Sequence, residues 1–170
     1  MIRALLIGLC LAASILPSAV AAQEYSSSDR RFYGGDYRIV SRMNGLCLNV
    51  SGGRIYEGAV LITWDCVDAP NERFRAQRAG DNGWMRLTIQ GPDGLYCVQL
   101  PSWQGQQMRL AKCGGGDQTF RFNARSPFAI ETLFDQCLNI EGQRRERGIK
   151  VIRWPCSGEV NEAWAFERAY

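Results

Sequence analysis

Cysteine, tryptophan and asparagine are the residues of this sequence whose spacing suggests chemistry; histidine suggests none, because the chain has no histidine. That absence removes the usual general base, the usual partner of a serine or cysteine nucleophile, and the commonest metal ligand. Paired carboxylates are the surviving route to catalysis, and a glycosidase needs two of them about 5–10 Å apart across a cleft. Asp65, Asp68 and Glu72 crowd one short stretch, which an acid-rich turn explains, so no catalytic residue is nominated and the chain is not expected to be an enzyme. Of 7 cysteines, Cys10 lies in the N-terminal apolar segment. The others fall into three like intervals: Cys47 to Cys66 is 19 positions, Cys97 to Cys113 is 16, and Cys137 to Cys156 is 19. Each interval encloses a stretch of similar character, which predicts the disulfides Cys47–Cys66, Cys97–Cys113 and Cys137–Cys156 out of the 15 pairings six cysteines allow. No CxxC spacing of the zinc or thioredoxin-like kind occurs, and neither a metal nor a cofactor is expected.

Disulfides imply an oxidising compartment, and the N-terminus agrees. Arg3 precedes an apolar run from Ala4 to Leu16, and Val20-Ala21-Ala22 puts small residues where a signal peptidase cuts, so residues 1–22 read as a signal peptide cleaved after Ala22. Cys10 follows Leu9 and not a small residue, which argues against an acylated lipoprotein. The run is too short to span a bilayer comfortably and no second one follows, so a secreted or periplasmic protein with no membrane span is expected. Removing 22 of 170 residues leaves 148, one domain's worth. Loss of Arg3 leaves 19 basic against 17 acidic residues, a net charge of about +2. That is too weak a bias for a nucleic-acid partner, and the one basic cluster, Arg144, Arg145 and Arg147, reads as a solvated loop.

The elements that must position these residues come as a repeat. Residues 23–36 are rich in serine, glycine and charge and read as a flexible lead-in to a domain over 37–170. Gly45-Leu46-Cys47-Leu48-Asn49-Val50, Gly58 to Cys66 and Asn71-Glu72-Arg73-Phe74 recur as Gln136-Cys137-Leu138-Asn139-Ile140, Gly148 to Cys156 and Asn161-Glu162-Ala163-Trp164. A looser copy runs through Cys97-Val98-Gln99-Leu100, Gly105 to Cys113 and Asp117-Gln118-Thr119-Phe120. Three repeats result, at about 37–78, 83–124 and 128–168. Apolar residues alternate at period two, as in Met85-Arg86-Leu87-Thr88-Ile89, and turn residues such as Asn44-Gly45 and Asp93-Gly94 divide the runs, so the chain is predicted to be all-β. A repeat this short cannot bury its own apolar face, and three must close on a shared core. Phe74, Phe120 and Trp164, the aromatic that ends each unit, are predicted to lie in it.

Cys-Leu-Asn-Val, Trp-x-Cys and a closing Gln-x-Trp-like motif, repeated three times, resemble the ricin B-chain type of lectin domain over all of 37–170. The resemblance implies a β-trefoil of three pseudo-symmetric repeats, each with one shallow sugar site. A site combines an acidic residue after the first cysteine, an aromatic platform before the second, and an asparagine in the closing motif. Carried over, these positions are Asn49, Trp64 and Asn71 in the first repeat and Asn139, Trp154 and Asn161 in the third. The second repeat offers Gln99, Ala111 and Asp117, and without a ring at Ala111 its site is expected to be dead; Trp103 in the preceding loop is set aside as a substitute. Asn49 and Asn139 stand where galactose-binding members have aspartate, and amides accept more weakly than carboxylates. Weak glycan sites acting together are therefore expected, for galactose-like or other sugars. Two plainer readings stay open: Trp64 and Trp154 as packing beside their disulfides, and Asn49 and Asn139 as turn caps. The alternative function is a trefoil without sugar binding that works through a protein partner, as a toxin-delivery or adhesion subunit or an inhibitor of a secreted protein.

Overall fold

Burial alternates along Asp36–Ser41, Leu61–Trp64 and Phe74–Arg78 as the period-two pattern requires, whereas Cys47–Val50 and Ile130–Thr132 are buried on both faces. A computed structural model describes residues 34–80, 83–122 and 128–169; the expected signal segment 1–22 and most of the lead-in lie outside them. The first repeat forms β1 (Asp36–Ser41), β2 (Cys47–Val50), β3 (Leu61–Trp64) and β4 (Phe74–Arg78). The second forms β5 (Met85–Gly91), β6 (Gly94–Gln99), β7 (Arg109–Lys112) and β8 (Phe120–Phe122). The third forms β9 (Ile130–Thr132), β10 (Gln136–Ile140), β11 (Val151–Pro155) and β12 (Trp164–Arg168). No α-helix occurs among the described residues, only short 3-10 turns.

The outer strands of each repeat close a six-stranded barrel. β1 pairs β4, β4 pairs β5, β5 pairs β8, β8 pairs β9, and β12 returns to β1 over five residue pairs from Tyr37↔Arg168 to Ser41↔Trp164. A bridge between Ala129 and Ala163 completes the ring. Closure leaves the barrel without an exposed edge.

The inner strands form three hairpins, β2–β3, β6–β7 and β10–β11. They are joined in a cycle: Val60 bridges Arg109, Gln107 bridges Ile152, and Lys150 bridges Ile62. Each bridge links the residue two after a hairpin glycine (Gly58, Gly105 or Gly148) to the residue four after the next one. The glycine N–H groups repeat the cycle, Gly58 donating to Leu110 O at 2.8 Å, Gly105 to Arg153 O at 2.7 Å and Gly148 to Thr63 O at 2.7 Å. This is a β-trefoil. Leu48, Val50, Leu61, Val98, Leu110, Leu138, Ile140 and Val151 turn inward from the hairpins onto Ile39, Leu87 and Ile130 of the barrel, all buried. Phe74, Phe120 and Trp164 are buried with them, as expected, and the Trp164 indole N–H donates to Leu138 O at 2.9 Å. All three disulfides join the predicted partners, each across its own repeat.

Candidate functional site

Pairing places the site residues before any ligand enters. Across β2–β3, Cys47 stands opposite Trp64 and Asn49 opposite Ile62; across β10–β11, Cys137 stands opposite Trp154 and Asn139 opposite Ile152. The disulfides therefore hold the tryptophan ends of the hairpins. Trp64 is 43% and Trp154 42% exposed, while Asn49 and Asn139 are buried. The closing asparagines reach back to them: Asn71 Nδ2 donates to Asn49 Oδ1 at 2.6 Å and to Val50 O at 3.1 Å. Asn161 Nδ2 donates to Asn139 Oδ1 at 2.6 Å and to Ile140 O at 3.1 Å. In the first and third repeats the two asparagine positions, 22 residues apart in sequence, are thus joined by a side-chain hydrogen bond.

Glu72 and Glu162, where the Gln-x-Trp motif has glutamine, are fully buried and serve the loop after the second cysteine. Glu162 accepts from Ser157 N, Ser157 Oγ and Gly158 N. Glu72 accepts from Asp68 N and also from Asn49 Nδ2 at 3.3 Å. In the second repeat Gln118 does the same work, its Oε1 accepting from Gly114 N and Gly115 N.

The first and third repeats differ in what remains. Both oxygens of Glu162 are engaged by Ser157 and Gly158, whereas Glu72 draws in the Asn49 amide, so Asn49 is bonded at both polar atoms. In the third repeat Asn161 Oδ1 is buried without a hydrogen-bond partner. Its Nδ2 is fixed by two acceptors, which sets the orientation of the amide. An open cleft of about 470 Å³ lies there, lined by Asn139, Asn161, Trp154, Ile152, Glu141 and Gly105, among others.

Gly105 belongs to the second repeat. A Cβ built on it would stand 3.6 Å from Trp154 Cζ3, and one on Gly148 of the third repeat 3.6 Å from Trp64 Cζ3. Trp64 and Trp154 therefore each lie against the hairpin glycine of a neighbouring repeat, so each of these candidate sites draws on two repeats. Both glycines have positive φ, +80° and +79°, so it is the backbone conformation, and not a shortage of space, that calls for glycine here. The equivalent Gly58 has nothing within 4 Å, since Ala111 stands where the ring would be. No alignment of repeats reveals this, because it shows which positions are equivalent but not which repeat faces which.

The second repeat also lacks the asparagine unit. Gln99 Oε1 is bonded by Gln118 Nε2 at 2.9 Å, and Asp117 is exposed and not joined to it. The strand end after Ala111 is occupied by an ion cluster: Lys112 Nζ lies 2.8 Å from Asp93 Oδ2, 2.9 Å from Tyr96 Oη and 4.1 Å from the Tyr96 ring centroid. The Lys112 bond, then that of Tyr96, holds the Asp93 carboxyl below its ordinary range. The bond to Asp93, then that to Tyr96, pushes the Lys112 ammonium up to about 12.

The Arg144–Arg147 loop is exposed along its length, as expected, and is also tied to the first repeat: Arg145 Nη1 donates to Met43 O, Asn44 Nδ2 donates to Arg145 O at 3.3 Å, and Arg147 pairs with Asp65 at 2.7 Å. Composition showed only a charge cluster; the hairpin cycle carries that loop onto the first repeat, beside Trp64.

Barrel and hairpin cycle define a β-trefoil. The ricin-type beta-trefoil lectin domain-like family matches residues 21–111 and the ricin-type beta-trefoil lectin domain family matches residues 83–170, each more than half the chain. The chain belongs to the ricin-type β-trefoil lectin family. No curated protein matches it in sequence. Among solved structures it is similar to the designed three-fold symmetric protein ThreeFoil, with a TM-score of 0.65 and 21% identity over 78% of this chain and 97% of that one. It is similar to the C-half of the earthworm R-type lectin in complex with GalNAc, at 0.60 and 20% over 79% and 98%. A third likeness, at 0.67 and 15%, is to 1,3Gal43A, an exo-beta-1,3-galactanase from Clostridium thermocellum, covering 79% of this chain and 30% of that one. These likenesses establish the fold.

Proposed function

We propose that this chain is a secreted or periplasmic carbohydrate-binding module whose main site is the third-repeat cleft, with a weaker companion in the first repeat. Trp154 carries the reading: a 42% exposed indole, in contact range of Gly105 and paired in register with the disulfide-bonded Cys137, lines a cleft with the amides of Asn139 and Asn161. A pyranose has an apolar C–H face and a polar rim, and a rigid ring beside convergent hydrogen-bonding groups complements both. Asn139 and Asn161, which line the cleft, supply the polar part. The first repeat offers Trp64, Asn49 and Asn71, but its asparagines spend more of their bonding on Glu72, and it is assigned the lower affinity. Amides in place of a carboxylate make each site weak, so avidity from two sites strengthens binding to multivalent glycans. Three disulfides fit an exported protein.

The test is calorimetric titration of the oxidised protein with a panel of galactose, N-acetylgalactosamine and other mono- and oligosaccharides, repeated with Trp154→Ala and Trp64→Ala. Loss of most of the binding in Trp154→Ala and of a minor part in Trp64→Ala is expected. No response to any glycan from folded protein sinks the proposal and favours a trefoil acting through a protein partner.

A further inference from the structure

The residue two before each hairpin glycine is Tyr56, Trp103 or Glu146. Equivalence of the first two is structural as well as sequential, since Ala59 N donates to Tyr56 O at 3.2 Å and Gln106 N to Trp103 O at 3.3 Å. The hairpin cycle turns each of these loops toward the next repeat: Gly148, two after Glu146, lies against Trp64, Gly105, two after Trp103, lies against Trp154, and Gly58, two after Tyr56, donates to Leu110 O beside the ringless Ala111. Trp103 is not among the residues that line the third-repeat cleft, but of the two loops that approach a platform ring, the one at that cleft carries an aromatic residue at this position.

Trp103 is 71% exposed, the most exposed large apolar side chain among the described residues. Its loop is nonetheless pinned. Arg153 Nη1 donates to Pro101 O and to Ser102 O, both at 2.9 Å, Gln106 Oε1 accepts from Trp103 N at 3.2 Å, and Gly105 N donates to Arg153 O at 2.7 Å. Two peptide units separate Trp103 from Gly105, so their Cα atoms lie within about 7.6 Å, and Gly105 is in contact range of the Trp154 ring. An indole displayed to solvent on a braced loop has lost its backbone freedom before any ligand arrives, which lowers the ordering cost of binding.

Resting on the reading of Trp154 as a sugar platform, we infer that Trp103 forms a second stacking position, so that the third-repeat cleft recognises an oligosaccharide and not a single sugar. One residue of the glycan stacks on Trp154 over Asn139 and Asn161, and an adjoining residue lies on Trp103. The second repeat, without a platform of its own, thus contributes to binding by extending the site of the third.

Calorimetry with four ladders tests this: galactose with its β-1,3-linked di- and trisaccharide, and xylose, glucose and N-acetylglucosamine with their β-1,4-linked equivalents. For the ladder that binds, affinity is expected to rise about tenfold from monosaccharide to trisaccharide. Trp103→Ala should abolish that rise and leave monosaccharide affinity unchanged, and Trp103→Phe should keep most of it. Side-chain exposure makes misfolding of these variants easy to exclude by circular dichroism. A monosaccharide that binds through Trp154 with no gain from chain length, or a gain that survives in Trp103→Ala, overturns the inference and leaves the lectin reading intact. Silence from all four ladders and the wider panel overturns both.

Discussion

The ring of Trp154 lies against Gly105, a residue of the preceding repeat, at 3.6 Å from where a Cβ would stand. The same relation joins Trp64 to Gly148, so each of these two tryptophans is braced by a glycine 49 or 84 residues away in sequence. The hairpin cycle enforces this contact, and a prediction follows from comparing the three glycines.

Gly105→Ala is expected to cost about 1–2 kcal/mol of stability, because its φ of +80° is unfavourable for any residue with a Cβ. Gly105 lines the cleft, so a backbone shift that relieves this strain should weaken glycan binding, although the methyl itself would stand at ordinary contact distance from the Trp154 ring. Gly58→Ala suffers the same backbone penalty at φ +88° but meets nothing within 4 Å. Thermal melts of the two variants should therefore fall together while only Gly105→Ala loses affinity. Equal affinity in both would mean that the glycine does not set the ring.

Glu162 occupies a position filled by glutamine in the second repeat, and the two side chains do the same task. Gln118 satisfies Gly114 N and Gly115 N as Glu162 satisfies Ser157 N and Gly158 N. Glu162→Gln should thus cost less than about 1 kcal/mol, and Glu162→Ala about 3 kcal/mol, since the latter strands buried donors. Denaturant unfolding of the two variants measures the difference. A large loss in Glu162→Gln would show that charge, and not the acceptor geometry, matters here.

Much of this architecture is legible in the sequence, and the limit of legibility is physical. Cysteine spacing and the recurrence of Asn49, Trp64 and Asn71 as Asn139, Trp154 and Asn161 express relations within a repeat, which an overlay of repeats displays. The bond from Asn161 to Asn139 and the buried role of Glu162 need the folded loop, yet they stay within one repeat and within reach of motif reasoning. What crosses between repeats is invisible to that overlay. Gly105 under Trp154, Arg147 on Asp65 and the placement of Trp103 all depend on the cyclic order of the hairpins. Trp103, weighed against its own repeat, finds no partner; its loop is bonded to the next.

Asp93 and Lys112 make a pH-dependent prediction whose sign differs between the partners. The depressed Asp93 carboxyl contributes stability that is present above its unfolded value and lost as pH falls through its lower folded value. The raised Lys112 ammonium contributes stability that is present below its unfolded value and lost as pH rises through about 12. Both groups are exposed, so the effect on global unfolding is small. NMR titration of the Lys112 side chain should show it protonated well above the ordinary lysine range, and Asp93→Asn should return it toward that range. An unchanged lysine titration in Asp93→Asn would remove Asp93 as the cause.

The disulfides offer the sharpest separation of stability from function. Each closes a loop of 16 or 19 positions within one repeat, worth about 3 kcal/mol in the chain-entropy estimate. Replacing either Cys97 with Cys113 or Cys137 with Cys156 by alanine pairs should therefore lower stability by similar amounts. Function should divide them. Cys137 stands directly opposite Trp154 across β10–β11, and losing its bridge to Cys156 frees the strand end that carries the platform and the loop that Glu162 organises. Cys97 stands opposite Ala111, where there is no platform to lose. Titration below both melting temperatures should find binding weakened in Cys137→Ala/Cys156→Ala and close to wild type in Cys97→Ala/Cys113→Ala. Equal weakening in both would place the sugar contacts outside the third repeat, and with them the role assigned to Trp154.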